Sequence, residues 1–233
     1  MPTEDTDILE KFTTKSMYVG FIDVLGFGRN VVHDHESTLD TYANIIKFVK
    51  HHIKTQQNVS LRVMSDSIII TGNDIASVVV AVNVIHHYTL FFDWLIRGGI
   101  AFGKHSEYSE SGNIYVVSQA LVLAAQIENS IKYPCVVIHK DIDIPPLLWG
   151  PCENNFIRKI LYYDGLRIVS PFNILWGLSA KSRVESMQEN FPEHSDKYNW
   201  FINLYESVRR EYLLLPPDII GALELDKYAL NAS

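Results

Sequence analysis

The sequence predicts an α+β fold with a ferredoxin-like (split βαβ) core, and three observations carry this prediction. The chain has 233 residues and is 47% hydrophobic, which is enough apolar material for a sizeable core. An apolar segment bounded by glycines, residues 17–24 (MYVGFIDV), predicts a buried central strand. Strand and helix periodicities then follow in the order β-α-β-β-α-β-β-α-β, and the first six elements have the order of a split βαβ unit.

A long helix is predicted after the first strand, followed by a hairpin of two strands. Residues 36–57 repeat apolar side chains at helical spacing, which predicts a helix with one buried face. Residues 59–64 alternate as strand residues do, and the strand pattern resumes at 67–71 (SIIIT). Ser65 and Asp66 separate these two runs, so we expect a tight turn there.

Residues 75–95 are predicted to form the second helix of the core. The apolar run 77–96 contains polar side chains that make it a poor membrane span and favour a buried helix: Asn83, His86, His87 and Asp93. The next strand begins in WLIRGGIAFGKHSEY, where Gly98 and Gly99 indicate a bulge or the close approach of another backbone.

The rest of the chain predicts three further core elements and a different C-terminal region. GNIYVV, SQALVLAAQIENS and PCVVIHK are expected to form a strand, a helix and a strand. Beyond them we expect a hairpin at Asp164-Gly165 and a helix-rich tail at 180–215 that Pro216-Pro217 terminates. No linker separates these parts. We therefore expect a lead-in (1–16), a core (17–140) and an extension (141–233) packed on the same domain.

Composition limits the classes of partner and compartment. The net charge of −7 argues against bulk nucleic-acid binding, although it is compatible with a local basic pocket for a small polyanion. Cys135 and Cys152 do not form a CxxC pair, and the first residues, MPTEDTDILEKF, lack the apolar core of a signal peptide. These features predict a reduced, cytoplasmic protein with no membrane partner.

Two carboxylates are expected to meet at one end of the core sheet. In a split βαβ sheet the first and third strands are antiparallel neighbours, so Asp23 and Asp66 lie side by side. Two bare carboxylates repel, and a divalent cation between them removes the repulsion. Oxygen ligands with few other protein groups suit Mg²⁺ or Mn²⁺. The glycine-rich turn 25–28 follows Asp23 at once, and its amides form an anion cradle suited to a triphosphate: Leu25, Gly26, Phe27 and Gly28.

Four segments together resemble the class III nucleotidyl cyclases, and most of all the pyrimidine cyclases of bacterial Pycsar antiphage systems. They are YVGFIDVLGF, RVMSDSIII, RGGIAFG and YVVSQALVLAAQIE, spread over about residues 17–140. The resemblance implies that Asp23 and Asp66 ligate two divalent cations, with the Val24 carbonyl as a further ligand. It also implies in-line attack of the ribose 3′-hydroxyl on the α-phosphorus and a twofold homodimer with its active sites at the interface.

The sequence departs from the adenylyl cyclase pattern at the positions that read the base and stabilise the transition state. Arg62 stands in place of the adenine-reading Lys and is either a base reader or an exposed strand arginine. Tyr115 falls near the base-reading Asp, with a core position as the competing interpretation. The Asn and Arg that serve the transition state align with Val122 and Gln126. Arg97 is the candidate that neutralises the α-phosphate, and a surface or interface salt bridge is its alternative.

These features predict a cyclase that converts UTP to 3′,5′-cyclic UMP, with CTP to cyclic CMP as the second choice. Arg62 donates hydrogen bonds only, which matches uracil O4, although O2 is common to both bases. The resemblance implies second-messenger signalling in antiphage defence, through a separate effector that binds the cyclic nucleotide. A degenerate domain that binds nucleotide or only dimerises is the competing hypothesis.

Overall fold

A computed structural model describes residues 8–53, 58–150, 158–172 and 177–210. One mixed sheet of eight strands forms the centre of the fold. The strands are β1 (Thr13–Val24), β2 (Val59–Met64), β3 (Ser67–Gly72), β4 (Ile96–Glu110), β5 (Asn113–Ser118), β6 (Val136–Ile138), β7 (Ile160–Tyr163) and β8 (Leu166–Val169). The helices are α1 (Phe27–His33), α2 (His35–Ile53), α3 (Ile75–Phe91), α4 (Gln119–Ser130), α5 (Pro146–Trp149), α6 (Gly177–Asn190) and α7 (Ser195–Arg210).

The split βαβ core is confirmed by the order and direction of its strands. The sheet runs β2-β3-β1-β4-β6-β8-β7, and β5 pairs with the distal part of β4. Strand β1 is central, with antiparallel β3 on one side and antiparallel β4 on the other. This arrangement brings the end of β1, the start of β3 and the start of β4 to one edge of the sheet.

The predicted hairpin between β2 and β3 turns at Ser65 and Asp66, as the sequence indicates. Ser65 adopts a left-handed conformation with φ of 56°. A two-residue connection needs such positive φ angles, because they match the twist of the flanking strands. The turn thereby places Asp66 next to Ser67, the register partner of Asp23.

Gly98 and Gly99 mark close backbone approaches, and the pairing of β4 with β1 continues through them without a bulge. A Cβ on Gly98 would lie 2.4 Å from the Phe21 carbonyl oxygen. A Cβ on Gly99 would lie 2.4 Å from the Ala124 carbonyl oxygen of α4. Gly99 therefore lets α4 sit directly on the sheet, and Gly98 lets β4 pair closely with the end of β1.

The C-terminal region extends the same sheet and adds two helices. Strand β8 pairs with β6, and the β7–β8 hairpin turns at Asp164 and Gly165, both at positive φ, as predicted. The helix-rich tail is two helices rather than one, because Pro192 begins a 3-10 turn, Pro192–His194, between α6 and α7. Proline lacks the amide that a continuing helix needs. Residues 211–217, where the tail was expected to end, lie outside the described residues.

Two apolar layers cover the two faces of the sheet. In the first layer, α2 and α3 pack on strand residues such as Ile22, Ile70 and Ile100. The opposite face carries α4 against Val19, and α6 and α7 against another part of the sheet. Within the described part of the chain, no helix is long and apolar enough to cross a membrane. Cys135 is a buried free thiol, and Cys152 lies outside the described residues.

Candidate active site

The fold brings the two predicted acids to one edge of the sheet. Asp23 is the next-to-last residue of β1 and pairs in register with Ser67 on one side and Arg97 on the other. The N–H of Val24 donates to the carbonyl oxygen of Asp66 at 3.1 Å, which ties the hairpin turn to the end of β1. Asp23 and Asp66 are both partly exposed, so ligands from solution reach this edge.

Arg97 lies between two carboxylates. Its Nε is 3.4 Å from Oδ2 of Asp23 and 2.6 Å from Oε1 of Glu128 in α4. Neither Nε nor Oε1 is in a well-aligned hydrogen bond, so the contact with Glu128 is held by charge more than by geometry. Nη1 donates to the Ile131 carbonyl oxygen at 3.4 Å. Arg97 is thus a half-buried residue beside Asp23, with an ion pair to a carboxylate on each side.

Glu128 is a site residue that the sequence interpretation missed. It is only 4% exposed, although a buried carboxylate is costly unless a cation accompanies it. Ala120, Ala124 and Glu128 recur every four residues on the buried side of α4. A carboxylate on such a small-residue stripe is the signal that could have identified it, because the stripe faces the sheet.

The surroundings of Asp23 disfavour its ionised form, chiefly because the side chain is partly buried. Burial raises the pKa of the Asp23 carboxyl, Arg97 lowers it, and the charges of Asp66 and Glu128 raise it further. The net direction is upward, so the ionised carboxylate is incompletely compensated by the protein. Its oxygens and those of Asp66 fit a hard divalent cation, which would offset this charge. Among the described residues, no cluster of three or more His, Cys, Asp or Glu side chains offers a metal site.

The turn after Asp23 is held tightly to the core. The N–H of Leu25 donates to the Leu95 carbonyl oxygen at 2.9 Å, and Gly26 has φ of 79°, which favours glycine. Phe27 begins α1, and its side chain is buried against Tyr42 and Trp94. The side chain of Phe27 therefore anchors the turn. The Leu25 amide, predicted as part of the anion cradle, is instead bonded to Leu95, because it continues the pairing of the two chain segments. The amides of Gly26, Phe27 and Gly28 remain the predicted cradle. Gly28 is exposed, with open space at its Cβ position.

Arg62 is neither free nor an ordinary exposed strand residue. It projects from β2 on the same sheet face as Asp23, and its Nη2 forms an ion pair with Oε1 of Glu107 in β4. This contact lowers the pKa of Glu107 below its usual range, chiefly through the hydrogen bond from Arg62. The buried His105 lies 3.5 Å from the other Glu107 oxygen. Glu107 and His105 were not anticipated from the sequence.

Tyr115 is not a core residue, so that interpretation is wrong. It lies on β5 with 48% of its surface exposed and stacks on Tyr108, its register partner in β4. Val122 and Gln126, the residues at the transition-state positions, are both exposed on α4. Strand β5 also exposes a run of apolar side chains besides Tyr115: Ile114, Val116 and Val117. Strand β5, together with Val122 on α4, therefore presents exposed apolar side chains.

Solved structures that align with this chain include nucleotide cyclases. The adenylyl cyclase CyaB from P. aeruginosa aligns with a TM-score of 0.47 and 15% identity, covering 56% of this chain and 79% of its own. The guanylyl cyclase Cya2 aligns with a TM-score of 0.43 and 14% identity, covering 54% and 75%. A class III adenylyl cyclase-like ATP-binding protein from Pseudomonas aeruginosa aligns at 0.49 and 11%, covering 77% of this chain and 44% of its own. No protein-family model and no curated protein sequence matches this chain.

Proposed function

We propose that this chain is a pyrimidine nucleotide cyclase that converts UTP to 3′,5′-cyclic UMP and pyrophosphate. One observation carries the proposal: β1 and the β2–β3 turn bring Asp23 and Asp66 together, next to Arg97 and the 25–28 turn. Paired carboxylates, a guanidinium and a glycine-rich turn at one sheet edge are the groups that phosphoryl transfer at a nucleoside triphosphate requires.

The carboxylates of Asp23 and Asp66, with the Val24 carbonyl, are the groups that would hold two divalent cations, Mn²⁺ or Mg²⁺. Bound there, such cations supply charge neutralisation at the phosphates and a lowered pKa for the ribose 3′-hydroxyl. The backbone of Asp23 is held in place by strand pairing with Arg97. The backbone of Asp66 is held by the hydrogen bond that its carbonyl oxygen accepts from Val24. The backbone thus fixes the two positions from which the carboxylates project.

Arg97 is the residue we assign to the charge on the α-phosphate. Asp23 and Glu128 hold its Nε, and the Ile131 carbonyl accepts from Nη1. A guanidinium has five N–H donors, so these contacts leave donors for a phosphate oxygen. A guanidinium held on three sides loses little side-chain entropy when it binds a phosphate. Arg97 would take over the charge stabilisation that Val122 and Gln126 cannot provide.

The choice of base is assigned to Arg62 together with Tyr115. The guanidinium of Arg62 donates hydrogen bonds only, and uracil presents acceptors at both O4 and O2, whereas cytosine has an amino group at C4. CTP, which shares O2, is the alternative substrate. The exposed apolar surface of β5 and α4 supports a homodimer, with the active sites at its interface. Antiphage signalling in the cytoplasm, through a separate cyclic-nucleotide effector, belongs to the same proposal.

A degenerate domain without activity is the second candidate, and the contacts of Arg97 favour it. Two carboxylates already accompany this guanidinium, and the outer positions on α4 are an aliphatic and a neutral amide side chain. Such a domain would bind a triphosphate and dimerise without turning it over. Against this second candidate, an inactive domain does not need both Asp23 and Asp66, whose like charges repel each other.

The test is to incubate the purified chain with Mn²⁺ and ATP, GTP, CTP or UTP separately and to identify products by mass spectrometry. We expect a cyclic pyrimidine monophosphate and pyrophosphate, and none from the Asp66→Asn variant. A cyclic purine product would keep the chemistry and refute the role of Arg62 as a pyrimidine reader. Tight binding of a triphosphate without any product would support the degenerate domain.

A further inference from the structure

A small cleft lies between the 25–28 turn and the C-terminal helices. Leu25, Gly26 and Arg29 line one wall, and His194 and Lys197 line the other. Its volume is about 60 Å³. Pockets that enclose whole small-molecule ligands are usually about 300–1,000 Å³. The cleft is therefore of a size for a single phosphate group and too small to enclose a whole nucleotide.

The cleft adjoins the candidate active site on the same face of the sheet. Leu25 follows Asp23 by two residues, and its N–H is bonded to the Leu95 carbonyl, two residues before Arg97. Leu25 and Leu95 both pack with α6 and α7, which cover this face. A chain of phosphates that begins at Arg97 and runs along the turn backbone would therefore end in the cleft.

The charges that line the cleft do not cancel. Arg29 is ion-paired with Glu193, and its guanidinium also lies over the ring of Phe191. Asp93, the acid in the lining, is paired with Arg183 at 2.7 Å. Lys197 forms no ion pair with any residue within the described ranges, so its charge is uncompensated. It lies in the first turn of α7, where the helix dipole adds positive potential.

We infer that this cleft binds the terminal phosphate of the triphosphate substrate and that Lys197 is its principal cation. For the identity of the ligand, the inference rests on the proposed function. The ammonium group of Lys197 offers three donors to phosphate oxygens, and Arg29 fixes the opposite wall through its contact with Glu193. The C-terminal extension then contributes directly to substrate binding, and α6 and α7 form the outer wall of the site.

The first experiment measures binding of magnesium tripolyphosphate to the full chain by calorimetry at low ionic strength. We expect Lys197→Gln to weaken binding about tenfold, because it removes a charged hydrogen-bond donor to the phosphate oxygens. Lys47→Gln is the matched control, since it removes the same charge from an exposed site on α2, on the opposite face. Lys197→Arg should restore most of the affinity. Equal affinities for Lys197→Gln and the wild type would overturn the inference.

A second readout separates the substrate from free phosphates. If the cleft holds the terminal phosphate of UTP, Lys197→Gln raises KM for UTP about tenfold and leaves kcat within about twofold. Loss of tripolyphosphate binding with an unchanged KM would show that the cleft takes free polyphosphate only, which overturns the assignment to the substrate. The calorimetric test needs no turnover. An inactive chain that binds tripolyphosphate through Lys197 would therefore refute the proposed cyclase activity and keep the cleft as a phosphate site.

Discussion

The two faces of the sheet differ in the strand side chains that they present. Towards α2 and α3 these side chains are aliphatic, as at Ile22, Ile70 and Ile100. Towards α4 the same strands present Asp23 and Arg97 at the sheet edge. At the end of β1 and the start of β4, a one-residue step thus changes an apolar side chain into a charged one, because strand side chains alternate between faces. Farther along, the α4 face is apolar as well, as at Val19 and Ile69.

Because of this difference, we expect the α2–α3 face to contribute mainly to stability and the charged end of the other face to contribute mainly to activity. The α2–α3 face excludes water, and burying its aliphatic side chains contributes about 25 cal/mol per Å². The charged groups lie on the other face, beside the partly open edge where Asp23 and Asp66 stay accessible. A buried charge is costly unless it is paired, and here Glu128 is buried only because Arg97 accompanies it. Substitutions on the two faces should therefore affect different measurements.

The largest effect is expected at the acids. Asp23→Ala or Asp66→Ala should lower turnover at least about 1,000-fold, because each removes a proposed ligand of the cations that would neutralise charge in the transition state. The melting temperature should change by only a few degrees, since both side chains are partly exposed. Cyclic nucleotide formation and thermal melting measure the two outcomes. Near wild-type turnover in either variant would exclude the two-metal site.

A substitution on the α2–α3 face is expected to have the opposite result, a loss of stability without a loss of activity. Ile85 in α3 is fully buried, so Ile85→Ala should lower the free energy of unfolding by about 2–5 kcal/mol. Activity per folded molecule should remain, because Ile85 does not reach the site. Val122→Ala is the control, since a side chain that is 57% exposed should cost less than about 0.5 kcal/mol. Urea unfolding gives the free energies. A selective loss of turnover in Ile85→Ala would mean that the two faces are coupled.

The local pattern of the sequence is sufficient for most of the core. Alternation and helical spacing predict β2, β3, α2 and α4, and the split βαβ order then places Asp23 beside Asp66. This prediction succeeds because register in a sheet with one closed face is set by which side chains are apolar. A one-residue slip of β1 would move Ile22 out of the core.

The side-chain contacts of the site cannot be predicted from the local pattern of apolar and polar residues. Glu128 meets Arg97 across 31 positions, and Glu107 meets Arg62 across 45, through the packing of separate elements. Periodicity assigns each residue to a face of its own element but not to a partner on another. For the same reason it does not say which face of the sheet α6 and α7 cover.

A smaller effect is expected from the Arg62–Glu107 pair. Arg62→Ala should change the ratio of KM values for UTP and CTP about tenfold and leave the Mn²⁺ requirement as it is, because it removes donors to the base and no metal ligand. Glu107→Gln leaves Arg62 without its anionic partner and serves as the comparison. Competition assays with both triphosphates give the ratio. An unchanged ratio in Arg62→Ala would remove Arg62 from the base pocket.

The smallest effect is expected in the pH dependence of stability, and it concerns Asp23 alone. Burial raises the pKa of this carboxyl, Arg97 opposes the rise, and Asp66 and Glu128 add to it. The folded state therefore holds the Asp23 proton more tightly than the unfolded state does. Ionised Asp23 costs stability above its raised pKa, and this cost is relieved as the pH falls through that pKa towards the ordinary value of 3.8.

Asp23→Asn removes this titration and tests the sign of the shift. At neutral pH and without divalent cations, the variant should melt slightly above the wild type, because its neutral amide avoids the cost of the buried charge. The difference should shrink as the pH falls, since the wild-type carboxyl then becomes neutral as well. Melting temperatures between pH 7 and about pH 4 measure it, near the usual carboxyl range. If the wild type is instead the more stable at neutral pH, the ion pair of Asp23 with Arg97 outweighs the cost of burial. The uncompensated charge of Asp23, which favours a cation at this edge, would then be absent.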